Sequence, residues 1–179
     1  KRDNRLNAYF GGLGSTKRVV LFDTLVEKLS HNELLAVLGH ELGHFKNGDI
    51  LKNIAIMGFV MFLFFAIFGN LSDELFLKLN LSNSPASIIS LFLIFSTALS
   101  FFLMPLISLI SRHNEYAADS FGSKLSSKED LVKALLKLAN ENKSFPYSHK
   151  IYIFFYFSHP PLIERFKELG YDVEKEKFV

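Results

Sequence analysis

The sequence contains no cysteine, and positive and negative charges nearly cancel. Without cysteine, disulfide bonds and thiolate metal sites are excluded, so any metal ion would need histidine and carboxylate ligands. The 20 Lys and Arg against 18 Asp and Glu leave a formal net charge of +2. Such a balance gives no electrostatic reason to expect nucleic acid as a partner. The chemistry must therefore be sought in short motifs.

The start of the sequence has neither an initiator methionine nor the basic, apolar and small-residue pattern of a signal peptide. We therefore expect a fragment of a longer protein. A length of 179 residues favours one domain. We predict a single domain over 1–179, interrupted at about 53–111 by a hairpin of two apolar blocks.

Apolar residues make up 49% of the sequence and concentrate in two blocks without charged residues, 53–72 and 86–111. A helix of about 20 residues is about 30 Å long, the thickness of the hydrocarbon core of a bilayer. The alternative is a pair of buried core helices in a soluble domain, but such helices are seldom apolar all round over this length. The blocks predict two transmembrane helices, hence an integral, multi-pass membrane protein in contact with lipid.

The charges beside these blocks predict an orientation. The outer flanks of the pair carry Lys46, Lys52 and Arg112, whereas the connecting loop carries two acidic residues and one lysine. By the positive-inside rule, the flanks and the motifs near them face the cytoplasm.

The central motif is His40-Glu41-Leu42-Gly43-His44, in a segment with helical apolar spacing that begins at the capping box Ser30 to Glu33. Residues four apart lie on one face of a helix, so both imidazoles can bind one metal ion. Glu41 can then accept a proton from a water molecule that the ion activates. The alternative is an amphipathic helix with two histidines four apart by chance. Gly43 is tolerable in this helix if another element approaches closely there.

An acidic pair, Glu115 and Asp119, follows the second apolar block and also has helical spacing. Glu115 can complete a site of two histidines and one glutamate that leaves a position open for water, and Asp119 can orient a histidine ligand. The alternative is a solvated acidic helix face.

Two further segments can contribute to a site. Residues 7–10 and 19–22 predict a β-hairpin, which is either purely structural or offers an edge to an extended peptide. His159 and Arg165, near the start of the last helix, can donate hydrogen bonds to an oxyanion. Otherwise they are a capping histidine and an exposed arginine.

Taken together, the segments 7–10, 21–25, 40–49, 115–119 and 158–165 resemble the CAAX prenyl endopeptidases, integral-membrane zinc proteases of the gluzincin type. The resemblance implies a mainly α fold: a gluzincin core with a short β-hairpin, and two membrane helices between the H-E-x-x-H helix and the helix of the third ligand. The whole sequence, 1–179, is then a single metallopeptidase domain that is interrupted by a membrane hairpin at about 53–111. It also implies roles for individual residues: one Zn2+ ion on His40, His44 and Glu115; Glu41 as general base; Asp119 behind a ligand; His159 and Arg165 near the substrate carbonyl; and Asn7 and Ala8 along the peptide.

The implied function is hydrolysis of a peptide or protein in a C-terminal or membrane-proximal segment. Family substrates often carry a prenylated cysteine, but prenylation is not assumed for this chain. Family members have further membrane helices before the hairpin, and residues 11–12 are both glycine where relatives often have an aromatic residue. Two alternatives stay open: a heat-shock-type quality-control protease, and a non-catalytic zinc-binding scaffold or inactive fragment. The oligomeric state is also open.

Overall fold

A computed structural model of the protein describes residues 5–12 and 14–171. The chain forms two compact units, Lys1–Ile50 with Ser108–Val179, and Leu51–Ile107. The described residues are mostly helical, with one two-stranded sheet, which confirms the predicted fold class. The single domain over the whole sequence stays a prediction.

The predicted hairpin is present near the start of the chain. Strand β1 (Ala8–Gly11) pairs antiparallel with β2 (Arg18–Leu21), and a 3-10 turn at Gly14–Thr16 lies between them. The following helices are α1 (Asp23–Lys28), α2 (His31–Lys46), α3 (Asp49–Gly69), α4 (Asp73–Lys78), α5 (Pro85–Leu125), α6 (Lys128–Glu141), α7 (Lys150–Tyr156) and α8 (Leu162–Glu168).

Helix α2 begins at the predicted capping box. The Ser30 hydroxyl accepts the Glu33 N–H at 3.3 Å, and the Glu33 carboxylate accepts the Ser30 N–H at 2.7 Å. Lys137 of α6 adds an ion pair to the same carboxylate at 2.7 Å. These contacts fix the start of α2, and with it the position of the H-E-x-x-H motif two turns later.

The first unit is held together by apolar contacts around α2 and α6. One cluster joins α2, α6 and α8, with the buried residues Ala36, Leu131, Val132, Leu135, Phe166 and Leu169. A second joins α2 and α6 to the N-terminal segment, with Leu6, Leu25, Leu29, Val37 and Ala134. Burial of these side chains is the main force that fixes α8 and the hairpin on α2.

The second unit contains two apolar helical stretches, from α3 and from α5, together with α4. Its small core is formed by Phe64, Phe68, Phe76 and Leu91. Helices α3 and α5 are long and apolar enough to cross a membrane. In the most apolar 18-residue stretch of each helix, only 6% of α3 and 11% of α5 is buried. Core helices of a soluble domain would be largely buried, so the exposure of these two helices argues against that alternative and suggests a membrane protein.

Helix α5 is a single helix of 41 residues that contains both the second apolar block and the acidic motif. The charge-free block ends at residue 111, and Arg112 follows it. The buried Arg112 guanidinium donates to the carbonyls of Ile153, at 3.3 Å, and Phe157. It thereby fixes the end of α7 immediately before the segment that carries His159.

Helices α2 and α5 cross at very short range where small residues meet. A Cβ atom added to Gly43 would lie 2.9 Å from the Cα atom of Ala118, and one added to Gly122 would lie 2.9 Å from the backbone nitrogen of His40. The predicted close approach at Gly43 is therefore confirmed. Glycine here lets the backbone of α5 lie directly against α2.

We expect Gly43→Ala to lower the free energy of unfolding by about 1–3 kcal/mol, because the new methyl group would meet backbone atoms that cannot move independently. Thermal unfolding in detergent, followed by circular dichroism, measures this. Gly58→Ala is the matched control, since nothing lies within 4 Å of a Cβ atom added there. Equal losses in the two variants would contradict the close-packed crossing.

Candidate metal centre

Three side chains from two helices converge at the α2–α5 crossing. The Nε2 atoms of His40 and His44 lie 3.2 Å apart, and each lies 3.5 Å from an oxygen of Glu115. One ligand atom from each residue falls within 4.8 Å of the other two. The structure thus brings together the three residues that the sequence predicted as metal ligands.

The other nitrogen of each imidazole is held by a buried carboxylate. His40 Nδ1 lies 2.8 Å from Asp119 Oδ1, and His44 Nδ1 lies 2.9 Å from Asp49 Oδ2. Asp119 is 2% exposed and Asp49 is 4% exposed. Carboxylates in these positions orient an imidazole so that its Nε2 lone pair faces the shared space.

The contact between His44 and Asp49 was not predicted from the sequence. Residues 47–49 follow the histidine helix, and Asn47 caps the end of α2. Asp49, however, is also the first residue of α3. A sequence signal for this contact was available: Asp49 is an acidic residue in the first turn of a helix, where a carboxylate is favoured, and it follows the candidate ligand His44 by five positions.

The charged groups of this cluster strongly shift one another's pKa values. Burial alone would raise the pKa of Glu115, but the hydrogen bond from His44 and the nearby His40 and Arg165 charges lower it to about 2. Burial opposes charge on His44, but its hydrogen bonds with Glu115 and Asp49 raise its pKa to about 9. A histidine that binds a metal must lose this proton, so a cation would bind in exchange for it.

Glu41 lies beside the three ligand residues without being one of them. Its Oε2 atom accepts the N–H of Phe10 in β1 at 3.1 Å, which fixes the carboxylate between α2 and the hairpin. Burial raises the pKa of Glu41, although the positive charges of His40 and His44 oppose the shift. A carboxylate with a raised pKa is better suited to accept and hold a proton.

The guanidinium of Arg165 in α8 donates two hydrogen bonds to the carboxylate of Asp119. Its Nε atom lies 2.7 Å from Oδ2 and its Nη2 atom 2.5 Å from Oδ1. The remaining nitrogen, Nη1, lies 3.8 Å from Glu115. The side chain is only 14% exposed, so the alternative of an exposed arginine is wrong. This bidentate contact holds Asp119 in place behind His40.

His159 lies on the open side of the cluster. Its Nε2 atom is 3.3 Å from Glu115 Oε1, while 67% of its side chain is exposed. Ser158 Oγ contacts the other ring nitrogen at 2.9 Å. His159 does not cap α8, because Pro161 occupies the cap position, so the capping alternative is also wrong. Its imidazole borders both the cluster and solvent, where a substrate would enter.

Asn7 and Ala8 lie on the hairpin. The Asn7 carbonyl accepts the N–H of Phe22 at 3.1 Å, so this group serves the hairpin. Ala8 begins β1, two residues before the Phe10 N–H that binds Glu41. The strand therefore runs beside the carboxylate, as a peptide-binding edge requires.

The donor set fits a catalytic metal ion. Two imidazole nitrogens and one carboxylate oxygen are the protein ligands of catalytic zinc sites that keep one position for water or substrate. Both imidazoles are oriented by carboxylates, as metal-bound histidines usually are. Within the described parts of the chain, this is the cluster in which three such side chains meet.

We expect Asp119→Asn to weaken metal binding by about 10- to 100-fold, because the amide orients His40 less firmly and no longer neutralises the charge of Arg165. Competition with a fluorescent zinc chelator measures the affinity. Glu74→Gln removes a carboxylate that is 75% exposed and forms an ion pair with nearby Lys78, and should leave the affinity unchanged. The prediction fails if Asp119→Asn binds zinc as tightly as wild type.

Comparisons with known proteins show what the chain is similar to. The model of peptidase family M48 matches residues 1–173. A CAAX prenyl protease 1 homolog from Homo sapiens is 36% identical over 94% of this chain and 44% of its own length. CAAX prenyl protease 1 from Saccharomyces cerevisiae is 35% identical over 99% of this chain and 43% of its own length.

Among solved structures, the chain is similar to the crystal structure of S. mikatae Ste24p. The TM-score is 0.75 at 34% identity, over 93% of this chain and 42% of that one. The predicted resemblance to CAAX prenyl endopeptidases is therefore confirmed. The chain spans less than half the length of the relatives it matches.

Proposed function

The chain belongs to peptidase family M48, and from this premise we propose that it is a membrane-bound, zinc-dependent endopeptidase of the CAAX-protease type. The observation that carries the proposal is the convergence of His40, His44 and Glu115, with Glu41 beside them and not among the ligands. The proposal assigns one Zn2+ ion to those three side chains.

The chemistry supplied by the metal is simple. When bound, the ion acts as a Lewis acid that lowers the pKa of water and polarises a peptide carbonyl. The residues of the chain bind the peptide, move one proton and stabilise the negative charge that develops on the carbonyl oxygen.

Glu41 is the proposed proton carrier. Its carboxylate takes a proton from water as the oxygen attacks the peptide carbonyl, and returns it to the nitrogen of the departing peptide. The hydrogen bond from Phe10 N–H keeps the carboxylate facing the site. Its raised pKa, caused by burial, helps it hold the proton between the two transfers.

His159 and Arg165 are proposed to steady the oxyanion by donating hydrogen bonds. His159 is better placed for direct contact, because its ring is largely exposed beside Glu115. Arg165 uses two nitrogens to hold Asp119 and has Nη1 left to direct at the site. Asn7 and Ala8 are proposed to lie along the bound peptide.

The substrate is proposed to be a peptide segment near the C-terminus or the membrane surface of a protein. The two apolar helices support a position in the bilayer, with the active site facing the cytoplasm because Lys46, Lys52 and Arg112 flank the spans. Whether a prenylated cysteine is required is decided by comparing matched prenylated and unprenylated peptides.

The two alternatives have less support. The relatives named above are CAAX prenyl proteases, which favours that type over a heat-shock-type quality-control protease. A purely structural zinc site normally has four protein ligands, whereas this cluster brings together three and places the half-buried carboxylate of Glu41 beside them.

Metal removal tests the proposal. In detergent or lipid vesicles, the protein should cleave peptides before dialysis against a chelator, lose at least about 99% of the rate afterwards, and recover it with one equivalent of zinc. A rate that survives complete removal of metal would contradict the assignment. Recovery with magnesium instead of zinc would contradict the identity of the ion.

A further inference from the structure

The outer edge of β1 is defined by the hydrogen bonds of the hairpin. Phe22 N–H donates to the Asn7 carbonyl, which turns that carbonyl toward β2. In an antiparallel pair, successive residues turn their main-chain groups alternately toward and away from the partner strand. The main-chain groups of Leu6, Ala8 and Phe10 therefore face outward, in agreement with the register of the pair.

The Leu6 position of this outer edge is occupied by a side chain from α6. Asn142 Oδ1 accepts the Leu6 N–H at 3.0 Å, and Asn142 Nδ2 donates to the Leu6 carbonyl at 2.9 Å. Asn142 caps the C-terminal end of α6, which is packed on α2. A single amide thus satisfies both main-chain groups of Leu6, as a neighbouring strand would do.

The other end of the edge is partly occupied as well, because Phe10 N–H donates to Glu41. Ala8 lies between the two. Its outward N–H and carbonyl have no hydrogen-bond partner within residues 5–12 and 14–171. The edge therefore presents one complete pairing position, with the proton carrier on one side and Asn142 on the other.

We propose that Asn142 is a specificity-determining residue that ends the pairing between β1 and a bound peptide; this proposal rests on the proposed function. A peptide that adds antiparallel to β1 runs from the Phe10 end toward the Leu6 end. Its C-terminal part therefore reaches Asn142. The peptide pairs with Ala8, but the residue two positions further toward its C-terminus cannot pair with Leu6, and the chain must leave the direction of the strand there.

A scan with N-methylated peptides tests where the pairing ends. A short synthetic peptide that the wild-type protein cleaves is prepared with one N-methyl group at a time, leaving the scissile amide unmodified. Each methyl group removes one N–H donor. We expect kcat/KM to fall about tenfold at the residue opposite Ala8, and to change less than about twofold two residues further toward the C-terminus. Tenfold losses at both positions would overturn the proposal.

Two variants test the role of Asn142 itself. Asn142→Ala removes both bonds to Leu6 and opens its N–H and carbonyl to the peptide. We therefore expect the N-methyl group two residues further toward the C-terminus to become costly, with kcat/KM falling about tenfold there. Thr24→Val is the control: it removes the hydroxyl bond to the Arg5 carbonyl, 2.8 Å, in the same segment, and should keep the wild-type pattern of the scan. Unchanged tolerance of that second N-methyl group in Asn142→Ala, at the thermal stability of Thr24→Val, would overturn the proposal.

The scan also distinguishes this inference from the function on which it rests. Absence of cleavage of every peptide by zinc-loaded wild-type protein would overturn both. Cleavage that depends on Glu41, combined with pairing at both positions in the scan, would overturn only the role of Asn142.

Discussion

Glu41→Gln should lower kcat for peptide cleavage by about a thousandfold or more while the zinc content stays at that of wild type. The amide is nearly the same size as the carboxylate and can still accept the hydrogen bond from Phe10 N–H. It cannot take a proton from water, and general-base catalysis contributes about 100- to 10,000-fold. The loss should therefore appear in kcat and leave the metal in place.

The measurement pairs a peptide-cleavage assay with zinc quantification on the same preparation. Glu74→Gln is the control, because this glutamate is exposed and its ion pair is with Lys78, on the next turn of its own helix. A fully active Glu41→Gln variant would contradict the role of Glu41. Loss of zinc along with activity would instead show that Glu41 acts on the metal ion.

His40→Ala should weaken zinc binding by more than about a hundredfold, because it removes one of the three protein ligands, the imidazole that Asp119 orients. The apolar cluster around Ala36 and Val37 is untouched, so α2 should remain folded. Zinc content after dialysis and the helical circular dichroism signal measure the two effects separately.

His31→Ala is the matched control, since His31 is an exposed histidine at the start of the same helix. It should keep its full zinc content. Retention of one zinc per chain by His40→Ala, at the affinity of wild type, would contradict the assignment of His40 as a ligand.

Local patterns predicted the parts of the structure that depend on near neighbours. The capping box at Ser30 and the spacing of His40 and His44 are properties of a single helix, and both are present as expected. The lengths of the apolar blocks predicted α3 and the first part of α5 for the same reason.

Contacts between distant segments could not be derived in the same way. Asn142 and Leu6 are 136 residues apart, and nothing in either local sequence indicates their pairing. The run 151–157 is too short for its periodicity to distinguish a strand from a helix, and all but its last residue lie in α7, which His149 caps. Local sequence left an exposed Arg165 open as an alternative, because its buried partner, Asp119, lies on another helix.

The most direct test is an experimental structure of the zinc-loaded protein with anomalous scattering recorded at the zinc edge. We expect one zinc ion within about 2.0–2.2 Å of His40 Nε2, His44 Nε2 and an oxygen of Glu115, with a position left for solvent. A zinc ion bound elsewhere, or Glu115 remote from the two histidines, would contradict the account.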